Sequence, residues 1–421
     1  MVDTERAVRG LRELARLTSD EHGAQRVAWT DTWAAARDWL RGELDGIPGV
    51  VIDTDQAGNT WATLPGDDER FVIVGSHLDS VPDGGWLDGA LGVIGGLEVL
   101  RALAGAPRAL TVKLVDWADE EGARFGRSLL GSSACAGTLD PEAVRGLSDR
   151  DGVRLPDALA AHGVELDRAG ESRERLRGAA GYLELHIEQG PVLERLGLAL
   201  GVVVGTFGVE RHLLRFTGAH AHSGSTPMDA RRDAFLAAAR GALAFRDDAA
   251  ARDDVRATTG AVRVSPGIAT AFNGACELTL DQRALEAAVL AEMLTGARTA
   301  AARLPAEEGC EAEFEHVWAI EPIPFDARLI ALAEEVVTEV AGTCRRLPSG
   351  PLHDAAEMAR VMPAVMLFVR SLGGVSHTKA EDSRVEDLEL AVRALYELTR
   401  RVSTGWRFAD APIPTGGRWE P

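Results

Sequence analysis

Residues 70–117 read RFVIVGSHLDSVPDGGWLDGALGVIGGLEVLRALAGAPRALTVKLVDW, and the fold is decided there. A short apolar, β-rich run, Arg70 to Gly75, is followed by a helix-like run from Leu91 to Ala104 and by a second β-rich run, Leu110 to Trp117. Strand, helix and strand at this spacing make the rhythm of a mixed or parallel sheet with helices on its faces. Gly181 to His186 (GYLELH) extends the pattern. From about Val209 the order changes. A strand (ERHLLRFTG) is followed by a helix over Asp229 to Asp247, strands over Val255 to Val264 and Thr270 to Gln282, a helix over Leu285 to Leu304 and a strand over Cys310 to Ala319. That βαββαβ order is the split ferredoxin-like unit. After about Pro324 the first pattern resumes, with a helix near Asp326 to Ala341, a strand over Ala364 to Val369 and a helix over Val385 to Val402. The expected fold class is therefore α/β. A split domain, residues 1–207 and 325–421, has a mixed central sheet flanked by helices, and a ferredoxin-like α+β domain, residues 208–324, is inserted into it. The Gly/Pro-rich tail after Arg407 is expected to be loose.

Composition narrows the function classes. The 421 residues carry 45 Lys+Arg against 65 Asp+Glu, a net charge of −20. Binding to nucleic acid or to an anionic membrane needs clustered Lys and Arg, so neither partner is expected. Hydrophobic residues at 46% and charged residues at 26% are ordinary for a globular chain, and the length accommodates two or three domains. The four cysteines, Cys135, Cys276, Cys310 and Cys344, form no C-x-x-C pair, which suits a reducing compartment. The amino terminus, MVDTERAVRGLRELARLTSDEHG, lacks the apolar core of a secretory signal. The uncharged stretch from Leu196 to Val209 is shorter than the roughly 18–20 apolar residues of a membrane span. A cytoplasmic location is the expectation.

Chemistry-bearing residues gather at the ends of the expected strands. His77 lies in GSHLDS directly after the first strand, where loops at the carboxyl end of an α/β sheet build sites. Asp79 is two residues on, and Asp88 follows in VPDGGWLDGALG, whose glycines permit a turn back toward His77. Glu120 and Glu121, in DWADEEGARFGRSLLGS, end the next strand. One of two adjacent glutamates can ligate a metal while the other acts as general base on a bound water. His186 ends the strand in LELHIEQGPVLE, and His377 follows the late strand in LGGVSHTKAE. Each fragment alone also reads as a strand cap or a solvated acidic turn. Together, His77, Asp88, Glu121, His186 and His377 supply the ligands for two metals sharing one carboxylate, and their oxygen and imidazole donors suit zinc, manganese, cobalt or nickel. Asp79 is then free to orient His77 through its other ring nitrogen.

The runs GSHLDSVPDGGWLDGALGV, DEEGARFGRSLLGS, HIEQGPVLE, HSGSTPMDARRDA and GGVSHTKAE resemble the amidase/hydantoinase/carbamoylase branch of the dinuclear zinc aminoacylase-type metallopeptidases, from about Leu11 to Val402. The resemblance implies that His77, Asp88 and His186 hold one divalent ion, that Asp88, Glu121 and His377 hold the other, and that Glu120 is the base. It implies a homodimer joined through the inserted domain, which acts as a lid and sends His222 into the neighbouring subunit's site to polarise the scissile carbonyl. Arg283, closing the strand CELTLDQR, would clasp the substrate carboxylate, and Gln189 and His353, the latter beside Asp354 in SGPLHDA, would lie on the substrate side. His220, beside His222, reads as a solvated strand residue. The implied reaction is hydrolysis of an N-carbamoyl-L-amino acid to amino acid, carbon dioxide and ammonia. Allantoate or ureidoglycolate hydrolysis is the alternative, ahead of a dipeptidase or aminoacylase and of a non-catalytic binding module. The departures from the family pattern fall on the substrate side: Thr270 replaces an asparagine, TAFNG replaces NVIPG, Leu352 replaces glycine, and Arg370 and Lys379 stand where proline is common.

Overall fold

The helix Ala90–Leu103 is buried around almost its whole circumference. Its sequence, ALGVIGGLEVLRAL, is apolar on every face, which is the pattern of a helix enclosed by other elements. It packs on the strands of a central sheet and is covered by the helices Thr4–Thr18 and Val385–Gly405, so residues from both ends of the chain close one core. Two of its glycines allow this close seating. A Cβ on Gly92 would fall 2.5 Å from the Leu185 carbonyl oxygen, and one on Gly96 2.5 Å from Leu114.

The computed structural model describes residues 1–405 of the chain. The expected loose tail after Arg407 lies outside the described residues. The described chain forms two compact units: residues 1–204 with 325–405, and residues 205–324.

In the first unit the sheet runs, edge inward, Val51–Thr54, Thr60–Leu64, Leu110–Trp117, Asp68–His77, Ala179–Ile187, Ala364–Val369 and Leu200–Thr206. The strands Leu110–Trp117, Asp68–His77, Ala179–Ile187 and Ala364–Val369 are parallel to one another, and antiparallel strands flank them. The mixed α/β sheet thus has a wholly parallel centre, buried on both faces, as its near-continuous runs of Val, Ile and Leu require. The uncharged stretch that begins at Leu196 contains a further strand, Leu200–Thr206, beyond those expected from the sequence.

In the second unit four strands pair antiparallel in the order Val262–Ser265, Ala275–Ala284, Gly208–Thr217, Glu311–Ile320. The helices Ala234–Ala250 and Ala287–Glu307 pack beside each other, and their alanines meet Leu214, Phe216 and Leu278 from the sheet. The expected elements need trimming. The first helix starts at Ala234, not near Asp229, because Asp233 caps it by accepting the Phe235 N–H at 3.0 Å. The strand expected over Val255 to Val264 is two pieces, Arg256–Thr258 and Val262–Ser265. Thr270 precedes the short strand Ala271–Phe272, which pairs with Ala221–His222.

No helix among the described residues is long and apolar enough to cross a membrane. All four cysteines are free thiols.

Candidate metal centre

Four parallel strands deliver their carboxyl ends to one edge of the sheet, and the candidate ligands sit there. His77 is the last residue of its strand, His186 the penultimate of its own, Glu120 and Glu121 follow Trp117, and His377 follows the strand ending at Val369. Asp88 is brought in by the turn before Ala90–Leu103. Gly89 has a φ of 64°, and a Cβ there would lie 2.4 Å from the His77 ring, so only glycine lets the Asp88 turn pass so close to the histidine.

The ligand atoms of His77, Asp88 and His186 lie within 4.8 Å of one another, and those of Asp88, Glu121 and His377 do the same. Asp88 is common to both groups. Its Oδ1 is 3.1 Å from His186 Nε2 and its Oδ2 3.3 Å from His377 Nε2. Glu121 Oε2 is 3.5 Å from His377 Nε2, and Glu120 Oε2 is 3.7 Å from His77 Nε2. His77 Nδ1 is 3.0 Å from the Asp79 carbonyl oxygen and His186 Nδ1 3.0 Å from that of Ile187. Each carbonyl takes an Nδ1–H, which leaves the Nε2 lone pair directed into the cluster, the tautomer that a metal ligand needs. Glu121 Oε1 is buried without a hydrogen-bond partner. A buried oxygen without a donor, beside nitrogen lone pairs and a shared carboxylate, fits divalent cations.

The charges compete strongly. Burial favours neutral Asp88, but its bonds with His186 and His377 hold the carboxyl well below its usual range. Burial pushes Glu120 well up, opposed by His77 and reinforced by Glu121, and it lifts Glu121 to about 7, helped by Asp88. The Asp88 hydrogen bond raises His377 to about 9. Burial drives His353 well down, aided by His186, whose ring centroid is 4.3 Å away. Without cations this cluster stores protons, and ligation displaces them.

Around the cluster several expectations change. The Asp79 carboxylate does not chiefly orient His77, from whose Nδ1 it stands 3.6 Å away. It accepts instead the backbone N–H groups of Glu120 at 3.2 Å and Glu121 at 3.1 Å. Gln189 also donates Nε2–H to Asp88 Oδ2 at 2.8 Å, which sets its amide beside the ligand groups. His353 is buried, with Nε2 unpartnered, and lies with Glu184 and His186 in a third group of possible ligands. Arg370 is paired inside the protein. It is buried, and its Nε and Nη2 bond Asp387 Oδ2 at 2.8 and 2.5 Å. Lys379 donates to the Glu21 carbonyl at 2.7 Å, and Leu352 is half-buried.

His222, Thr270 and Arg283 belong to the second unit. The Ser223 N–H donates to the Thr270 carbonyl at 2.9 Å, which sets Thr270 beside His222. The Gly224 N–H donates to His222 Nδ1 at 3.1 Å, so neutral His222 carries its proton on Nε2. Arg283 Nε donates to Asp281 Oδ1 at 2.8 Å. His220 is exposed and lies outside the neighbouring strands.

The sequence reading passed over a supporting layer. Glu381 and Ser376 brace Asp88. Glu184 accepts the Ser76 hydroxyl at 2.9 Å and the Ala355 N–H at 3.0 Å. Trp29 donates its indole N–H to Asp119 Oδ2 at 2.7 Å. Asp119, Gln189 and His377 all hold positive φ, 59°, 56° and 59°, conformations that side-chain-bearing residues keep only where their surroundings impose them. The one available signal was positional: Glu381 closes the same motif that carries His377.

Residues 73–401 match the model of peptidase family M20/M25/M40. The chain is 33% identical to an N-carbamoyl-L-amino acid amidohydrolase of Geobacillus stearothermophilus, over 96% of this chain and 100% of that protein. It is 32% identical to an allantoate amidohydrolase of Bacillus subtilis, over 91% of this chain and 94% of that one. The crystal structure of an amidase of the hydantoinase/carbamoylase family from Burkholderia multivorans superposes with a TM-score of 0.88 at 33% identity, covering 96% of this chain and 98% of its own.

Proposed function

The chain belongs to peptidase family M20/M25/M40, and from that premise we propose that it is a metal-dependent amidohydrolase acting on carbon–nitrogen bonds other than peptide bonds. The substrate is an N-carbamoyl-L-amino acid, which one water converts to the amino acid, carbon dioxide and ammonia. The observation that carries this reading is the pair of ligand groups sharing Asp88, with Glu120 placed 3.7 Å from His77. His77, Asp88 and His186 would hold one divalent ion, and Asp88, Glu121 and His377 a second; zinc, manganese, cobalt and nickel all suit these donors. When bound, such ions acidify water and draw charge from a carbonyl oxygen.

The chain's own groups do the rest. Glu120 takes the proton from the attacking water and hands it to the leaving nitrogen. Asp79 fixes the backbone from which Glu120 projects. His222, with its proton on Nε2, serves as donor to the developing oxyanion in the site of a second copy of the chain. Arg283, with Thr270, Gln189 and His353, recognises the substrate. Pairing of two copies through the inserted unit, acting as a dimerisation domain and lid, is supported by its exposed apolar residues. Phe235, Leu236 and Leu243 lie on one helix, and Val262 and Val264 on the edge strand. A cytoplasmic location agrees with the free thiols.

Allantoate or ureidoglycolate hydrolysis is the second reading, favoured by the nearly equal likeness to the allantoate enzyme. An ammonia-release screen of the zinc-, manganese-, cobalt- and nickel-loaded protein over N-carbamoyl amino acids and over the ureido acids allantoate and ureidoglycolate separates the two. Release from ureido acids alone would move the assignment to the second reading, and release from none would remove both.

A further inference from the structure

Glu381 is buried, and it reaches across the chain to the turn that carries Asp88. Its Oε1 accepts the N–H of Leu87 at 3.0 Å and that of Asp88 at 2.9 Å. The fit is close: a Cβ on Gly85 would fall 2.0 Å from that same oxygen, so residue 85 has to be glycine for the carboxylate to enter. The other oxygen, Oε2, is 2.9 Å from the Ser376 hydroxyl. Ser376 Oγ is also 3.1 Å from Asp88 Oδ2, and it accepts the Gln189 Nε2–H at 3.1 Å.

A hydroxyl has one proton, and here it has two carboxylate acceptors. We propose that Glu381 is a positioning residue that supplies the alternative acceptor for the Ser376 proton, so that Asp88 Oδ2 can give up that hydrogen bond and turn to a cation. With Asp88 Oδ2 engaged by Ser376, the shared carboxylate is partly satisfied without a cation. With Asp88 Oδ2 committed to a cation, the Ser376 hydroxyl rotates to Glu381, so its proton keeps an acceptor in either state. The two backbone bonds at Oε1 keep Asp88 in place throughout. This inference rests on the reading of Asp88 as a cation ligand.

The test is a double-mutant cycle read by metal affinity on the full chain. Chelator-stripped protein is titrated with zinc against a competing chromophoric chelator, and the melting temperature of the stripped form reports folding. In Glu381→Gln the amide oxygen still accepts the backbone N–H groups, but the amide nitrogen turns a donor toward Ser376. The Ser376 proton is then left on Asp88, and zinc affinity is expected to fall by about tenfold. Ser376→Ala removes the competing proton and should keep affinity within about twofold of the parent. The double variant should match Ser376→Ala. Equal losses from Glu381→Gln in both backgrounds, no loss at all, or a tenfold loss in Ser376→Ala alone would overturn the proposal. The Ser376→Ala measurement decides even if Glu381→Gln does not fold. A parent protein that binds no zinc would instead remove the metal reading beneath it.

Discussion

The Asp79 carboxylate holds the backbone of Glu120, accepting its N–H at 3.2 Å while the second oxygen accepts that of Glu121 at 3.1 Å. One buried side chain therefore sets the origin of both glutamates, the proposed base and the proposed ligand. In Asp79→Asn an amide NH2 would face a backbone N–H, donor against donor. We expect kcat to fall by about tenfold or more with KM little changed, since the base is displaced and the substrate contacts are not. A matched rise in KM at constant kcat would contradict this assignment.

Glu120→Gln keeps the shape of the side chain and removes its basicity. Turnover should drop by about 10²–10⁴-fold, while zinc content measured by elemental analysis stays at the parent level. Retained turnover would sink the assignment of the base.

If His222 serves a second copy, His222→Ala and Glu120→Gln should be inactive apart and partly active together. Mixing them after reversible dissociation should build sites that combine an intact Glu120 with an intact His222 from the other chain. Hybrids that recover nothing would confine His222 to its own subunit.

Arg370 and Asp387 form a buried pair, with side chains only 9% and 6% exposed. Removing one partner leaves an uncompensated buried charge, so Arg370→Ala should cost about 3–5 kcal/mol in denaturant melts. KM measured below the melting range should not move. A selective change in KM would return Arg370 to the substrate side.

The thiols give a pH test. Burial pushes Cys276 up to about 11, with Asp233 adding to it, and burial with the nearby Glu334 pushes Cys344 to about 11. The thiolate is the reactive form, so raising the pKa from about 9 lowers its fraction at pH 8 by about a hundredfold. Alkylation of the native protein should be slow at pH 8 and accelerate as the pH climbs toward 11. Fast labelling of either residue at pH 8 would contradict the burial argument.

The strand–helix–strand rhythm at residues 70–117 was legible because a fully buried parallel sheet and its enclosed helix write themselves as apolar runs. His77, Asp88, Glu121, His186 and His377 could be picked out for a related reason: rare residue types stand directly after such runs. Leu200–Thr206 was hard to delimit because it sits inside one uncharged stretch whose glycines, at 197, 201, 205 and 208, recur too often to mark a single boundary. The pairing of Arg370 was not legible because its partner, Asp387, lies on a helix whose approach no local pattern announces. The partners of Glu381 and Trp29 were not legible for the same physical reason. Their contacts join positions 293 and 90 residues apart, and only tertiary packing brings them together.

The strand Ala364–Val369 lies between Ala179–Ile187 and Leu200–Thr206, two strands that precede it by more than a hundred and fifty positions. On the ribosome, those earlier strands emerge with a vacancy between them. At about 5–20 residues per second, the wait between His186 and His377 is roughly 10–40 s. During that interval the whole of Gly205–Pro324 is made and can fold as its own unit, while the sheet edge stays open to wrong pairing. The nascent chain cannot assemble the second ligand group, Asp88 with Glu121 and His377, until His377 has been made, so a cation captured earlier would have only His77, Asp88 and His186 to hold it.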